Sequence, residues 1–251
     1  MQIYQQTTTA DQVLRWPAQA RAELQTELHD LLTRAFPRMS GEIRKEWVED
    51  HLTVPGGKIC REIMLLRNHS NQLVATMLFD FGEMEVFGRA ITAIYVLARV
   101  VSPEFHGTGV GNDIIKKVME DWSPDVLLTT CAQSATLHSW LRLPLKGLTG
   151  YEVYPRLEVK EGREIAITVP DEDYDFVLEV FRRLYLGVVR GNKKLAEDAV
   201  CNMTRTMVRK NIYHGMYDFD SWNRCGREDK IASALGATDR DGIVLMMRKV
   251  H

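Results

Sequence analysis

Between Val100 and Trp122 the chain reads VVSPEFHGTGVGNDIIKKVMEDW, and no other stretch constrains the fold so strongly. Gly107, Gly109 and Gly111 alternate with Thr108 and Val110. The apolar, β-branched run AITAIYVLARVV comes before them. After them Val110, Ile114, Ile115, Val118, Met119 and Trp122 fall on one stripe of a predicted helix. A strand that enters a glycine-rich turn and leaves as a helix outlines an anion site. Glycines let backbone N–H groups converge with no side chain in the way, and the helix N-terminus adds partial positive charge. Thr108 is expected to add a hydroxyl donor. One glycine is enough for a turn, so three in alternation predict backbone laid open to a ligand.

The elements around this turn follow from periodicity. Leu24, Leu28, Leu31, Leu32 and Ala35 predict an amphipathic helix over 18–36, with Pro17 at its start and Pro37 after its end. A weaker helix is expected over 41–51. CREIMLLR and QLVATMLFDF, joined by NHSN, read as a hairpin. After GEMEVFG comes a third strand, AITAIYVLARVV. DVLLTT is a fourth, AQSATLHSWLRL a short helix and GYEVYPRLEV a further strand. The path from the third strand through a helix to DVLLTT is long enough for a right-handed parallel crossover. The expected fold class is therefore α+β, a mixed and mainly antiparallel sheet with a central parallel pair, flanked by helices.

Beyond residue 155, EIAITVP reads as a strand, and EDYDFVLEVFRRLYLGVV and NKKLAEDAVCNMTRTMVRK as two helices. DKIASALGATDRDGIVLMMRKV reads as helix, Gly236 C-cap, turn and strand. The expected organisation is a core over 1–155 and a mostly helical extension or insertion over 156–251. Its last strand, about 242–250, would complete the core sheet.

Composition narrows the function classes. The net charge of the 251 residues is −2, so no global basic field points to nucleic acid. Cys60, Cys131, Cys201 and Cys225 are widely spaced, without a C-x-x-C pair or a histidine cluster. They read as reduced thiols of a cytoplasmic protein, with no metal site. MQIYQQTTTADQ has no apolar signal region, and no run approaches the ~20 apolar residues of a membrane span. Arg182, Arg183, Arg190, Lys193 and Lys194 make a local basic cluster that suits a solvated helix face, or else an acidic acceptor or nucleic acid.

Two phosphate motifs fail on the glycines. A Walker A loop needs G-x-x-x-x-G-K-[ST], and no lysine stands where that pattern requires it. A Rossmann turn needs G-x-G-x-x-G in a first βαβ unit with an acidic ribose partner downstream. The string present, V-x-P-E-F-H-G-T-G-V-G from Val101 to Gly111, resembles the acyl-coenzyme A signature of the GNAT N-acetyltransferase superfamily. Its core there is Q/R-x-x-G-x-G/A after an apolar strand and V-x-P. Gly109 and Gly111 match the two signature glycines, and Val101 and Pro103 match the approach. His106 stands where the family has Gln or Arg. The resemblance is strong over about 60–130 and extends over 18–155.

The resemblance implies acetyl-CoA, or another acyl-CoA, as co-substrate and an amine, small-molecule or peptide, as acceptor. It implies that pantetheine amides pair with the strand edge at Arg99, Val100 and Val101. The phosphates would lie on His106, Gly107, Thr108, Gly109, Val110, Gly111 and Asn112. A homodimer is compatible with such a chain; no membrane or nucleic-acid partner is expected. Where one branch of the family has a Glu base, this chain has Tyr95, suited to anchoring a water or giving a proton. The family's acid, a Tyr on the helix after the next strand, is matched in position by His138 or Ser139. Tyr151 and Tyr154 are further candidates. The alternative is a chain that kept the cofactor loop as a sensor or interaction module, or that does other chemistry on a CoA thioester.

Overall fold

The computed structural model describes residues 3–53, 59–131, 133–144, 147–161, 163–167, 171–188, 208–210, 223–224, 227–228, 230–238 and 241–250. The chain opens with strand β1 (Tyr4–Thr9) and the short helix α1 (Ala10–Arg15). A capping box joins them: Thr9 Oγ1 accepts the Gln12 N–H at 3.1 Å, and Gln12 Oε1 accepts the Thr9 N–H at 3.0 Å. Helices α2 (Ala18–Ala35) and α3 (Gly41–His51) follow, then strands β2 (Ile59–Arg67), β3 (Leu73–Val86) and β4 (Arg89–Val101). Helix α4 (Val110–Trp122), strand β5 (Val126–Cys131), helix α5 (Ser134–Leu141) and strand β6 (Tyr151–Tyr154) come next.

The remaining described elements are β7 (Arg156–Lys160), β8 (Arg163–Ile167), α6 (Asp171–Val188), β9 (Val208–Lys210), β10 (Asn223–Arg224), β11 (Arg227–Glu228), α7 (Lys230–Ala234) and β12 (Asp241–Lys249). The main sheet runs β1-β2-β3-β4-β5-β12-β6, with β9 also paired to β12. Only β4 and β5 along that path are parallel, so the sheet is mixed as the sequence implies. β12 pairs antiparallel with β5, Ile243 opposite Cys131 through Arg248 opposite Val126. None of the described helices is long and apolar enough to cross a membrane.

Several expectations change. β1 was not expected: YQQTTT is polar, and β1 is held by pairing with β2, Tyr4 opposite Arg67 through Thr9 opposite Glu62. GEMEV belongs to β3, not to a connection; the turn to β4 is Phe87–Gly88, both at positive φ (48° and 75°), as a two-residue hairpin loop requires. GYEVYPRLEV is two strands, because Pro155 has no N–H to continue a ladder. Its second half, β7, leaves the main sheet and pairs with β8. Of the expected helix over 192–210, the last three residues are strand β9 and the rest lies outside the described residues. The described part of 156–251 holds six strands beside two helices.

The described residues form two compact units. The first holds those within Met1–Gly82 and Val96–Ser123, the second those within Glu83–Tyr95 and from Pro124 onward. In the first unit, α2 presents Leu24, Leu28, Leu31 and Leu32, at most 2% exposed, to a cluster with Val13, Trp47, Val48, Ile63, Leu65 and Leu78. Each such leucine contributes ~2 kcal/mol of hydrophobic burial. Helix α4 buries Val110, Ile114, Ile115, Val118 and Met119, and Trp122 meets the Phe79 ring edge-on at 5.2 Å. Opposite each other on β2 and β3, Arg61 and Asp80 form a bidentate pair (2.8 and 3.1 Å) that is 5% and 0% exposed.

In the second unit α6 buries Tyr174, Val177, Val180, Phe181 and Leu184, a regular helical stripe. Arg183 donates to the Glu85 carbonyl at 2.6 Å, and Arg248 pairs with Asp173 at 2.5 Å. Both described arginines of the basic cluster, Arg182 and Arg183, pair with Glu179, which fits a solvated face; Arg190, Lys193 and Lys194 lie outside the described residues. The starts of the parallel strands are locked together. The Asp125 carboxylate accepts both the N–H and the hydroxyl of Thr92, at 2.8 and 3.0 Å.

Candidate acyl-CoA site

The end of β4 is built by steps that the sequence sets. Ser102 leaves the strand, buried, and donates its N–H to Val74 O at 2.9 Å. Pro103–Phe105 makes one 3-10 turn, fixed by the proline. The chain then reverses through Gly107 (φ +78°) and Gly109 (φ +96°), and Gly109 is the left-handed N-cap of α4. L-residues pay ~1–2 kcal/mol there, so these two glycines are required by the backbone itself. Gly111 is different. Its φ is not positive, and a Cβ there would meet Val101 Cγ2 at an ordinary 3.5 Å.

Several polar groups expected to face a ligand are spent on the turn. Thr108 donates its hydroxyl to Phe105 O at 2.8 Å, which corrects the expectation of a free donor. His106 Nε2 lies 3.0 Å from Val101 O, so this ring nitrogen donates to the strand end. The Asn112 N–H is used on Gly109 O at 2.8 Å, and Val100 and Val110 turn their side chains into the core. Arg99 reaches across from β4 and donates to Gly111 O at 3.0 Å. Among the described residues, the N–H groups of Gly107, Gly109, Val110 and Gly111 have no protein acceptor. In Gly109–Gly111 these are the orphan donors of a helix start, aimed along its axis. Electrostatics is mixed: Arg99 brings positive charge, and Asp113 places a carboxylate within 3.8 Å of the Cβ position of Gly109.

The candidate proton-transfer residues lie in the second unit. Tyr95 on β4 is 4% exposed; its hydroxyl meets Thr130 Oγ1 at 3.3 Å and its ring centroid lies 6.0 Å from that of Phe181 on α6. Thr130 is next to last in β5, a partner that the sequence did not single out. His138 is half-buried, one turn into α5, which begins just after β5. Tyr151 lies apart from the Tyr95–Thr130 contact. Its hydroxyl donates to Pro124 O at 3.0 Å, at the start of β5, so the length of that strand, roughly 20 Å, separates it from the Tyr95–Thr130 contact. Tyr154 donates to Glu152 at 3.0 Å; burial and this bond push its pKa up, so it gives its proton less readily. Cys131 is 1% exposed, and burial with the neighbouring Glu62 pushes the Cys60 thiol up to about 11, so neither is a ready nucleophile. Among the described residues no group of three or more His, Cys, Asp or Glu could hold a metal.

No family model and no curated protein matches the chain. Solved structures do. A Bacillus subtilis acetyltransferase in complex with CoA is 11% identical over 99% of this chain and 100% of that one, with a TM-score of 0.43. A GCN5-related N-acetyltransferase from Kribbella flavida is 18% identical over 61% of this chain, with a TM-score of 0.38; the match spans 34% of its length, about a third. An aminoglycoside 6'-N-acetyltransferase from Acinetobacter baumannii is 11% identical over 57% of this chain and 89% of that one, at 0.36. At that distance the functional reading rests on the loop itself.

The glycines can be told apart by substitution. Gly111→Ala is expected to leave the fold intact or slightly firmer, up to ~1 kcal/mol, because alanine is the better helix former and its methyl finds room. Gly109→Glu is expected to weaken CoA binding at least tenfold, about 1.4 kcal/mol, and to cost ~1–2 kcal/mol of stability through its positive φ. Calorimetric CoA titrations beside melting curves check both. Equal CoA affinity in the two folded variants would mean that the glycines serve the turn alone.

Proposed function

We propose that this chain is an acyl-CoA-dependent N-acyltransferase that moves an acetyl group from acetyl-CoA to a small-molecule or peptide amine. One observation carries the reading. β4 ends by turning through left-handed glycines into α4, leaving a run of backbone N–H groups unspent at the helix start. Such a cradle suits a pyrophosphate.

The reaction is direct attack in a ternary complex. The amine nitrogen bonds to the thioester carbonyl carbon, the C–S bond breaks, and the thiolate takes a proton. The ammonium form of the acceptor must first lose one. Of this chain's residues, His138 is assigned the proton to the thiolate, because it is half-buried just beyond β5. Tyr95 is assigned a positioning role, since its hydroxyl is held by Thr130. The amine's proton leaves through water.

A second reading has its own observation. Tyr95 occupies the position of a base and is buried against Phe181, which favours a chain that binds acyl-CoA without transferring the acyl group. Thermal denaturation with CoA and acetyl-CoA, followed by acetyl-CoA turnover against an amine and peptide panel, separates the two. CoA at ~100 times its dissociation constant should add about 2.7 kcal/mol of stability. A shift with turnover supports transfer, a shift without turnover supports the binding module, and no shift with any CoA species sinks both.

A further inference from the structure

A cavity of about 270 Å³ lies in the first unit, away from the glycine turn, between α1, α2 and the residue after α3. Val13, Leu14, Ala22 and Leu52 give it apolar walls, and Arg21 and Gln25 give it polar ones. Leu14, at the edge of the cavity, is 50% exposed.

Arg21 is the informative residue. Its guanidinium folds back to the α1–α2 turn, where Nη1 donates to Leu14 O at 3.3 Å. Its Nε is buried and has no acceptor. No carboxylate pairs with it among the described residues; on α1 Asp11 pairs with Arg15, and on α2 Glu23 accepts from Gln19. A partly buried cation without a counter-charge is costly, and an anion beside it recovers part of that cost.

We infer that this cavity binds a small organic acid, its carboxylate on the Arg21 guanidinium and its apolar body against Leu14, Val13 and Leu52. Guanidinium and carboxylate match as fork and fork, and apolar walls with a few convergent polar groups are the usual make-up of a ligand pocket. The volume falls below the drug-sized range, so the acid has a single ring or a short chain. The inference is independent of the acyl-CoA reading.

Phenylacetate and its uncharged counterpart phenylacetamide test it, titrated into isotopically labelled protein and followed by amide chemical shifts. The acid should shift residues 13–25 and bind at least tenfold more tightly than the amide. Arg21→Gln should abolish that preference with the melting temperature held. Ala22→Leu, which fills the cavity, should abolish binding of both. Equal affinity of acid and amide, shifts elsewhere, or no binding at millimolar acid would overturn the assignment.

Discussion

Replacing Asp80 with alanine is expected to destabilise the protein by about 3–5 kcal/mol. The carboxylate is 0% exposed and meets Arg61 through two bonds, 2.8 and 3.1 Å, across β2 and β3. Arg61 also donates to Thr53 O at 3.1 Å, so the guanidinium is fixed on three sides. Removing either partner takes the counter-charge from a buried ion. Replacing both with apolar residues of similar volume should cost much less, because the price of desolvating two ions vanishes with their attraction. The single variants should also differ in pH dependence. Burial already pushes the Asp80 carboxyl up, with Arg61 opposing. In Arg61→Ala that opposition is gone and the folded-state pKa rises further above the unfolded value. The folded state then binds the extra proton, so stability is higher below the unfolded pKa and falls as pH rises through the folded one. Urea unfolding across pH checks this; a single variant losing under ~1 kcal/mol would show that the pair is not what holds β2 to β3.

What the sequence made legible was mostly what local periodicity encodes. The leucines of α2 and the α4 stripe announce their elements because each buries one face against the sheet. The glycine turn was legible as a turn, and the left-handed φ of Gly107 and Gly109 explains two of its three glycines without any ligand. Non-local pairing was not legible. YQQTTT has no apolar alternation, and its strand state depends on β2, more than fifty residues away. The use of side chains was equally hidden. Nothing in HGTGVG says that Thr108 and His106 would spend their polar atoms on Phe105 and Val101, or that Tyr151 and Tyr95 would anchor at opposite ends of β5. Those are consequences of register, and register is set by the whole sheet.

The largest kinetic effect is expected from His138. If it gives the proton to the leaving thiolate, His138→Ala should lower kcat by roughly 10²–10⁴ with CoA affinity nearly unchanged, since general acid catalysis acts in the transition state. The fold should tolerate the change. α5 is anchored by Leu137 and Trp140, 0% and 1% exposed, while His138 beside them is half-buried. A purely structural role would instead move the melting temperature and leave the pH profile of kcat alone. A catalytic one removes a limb of that profile. Tyr95→Phe is the control. Its ring contact with Phe181 survives and the bond to Thr130 is lost, so a modest drop in kcat is expected. Full turnover in His138→Ala with none in Tyr95→Phe would reverse the assignment and make the tyrosine the acid, reached beneath α6. Full turnover in both would leave the protons to water, and α5 without a part in the chemistry.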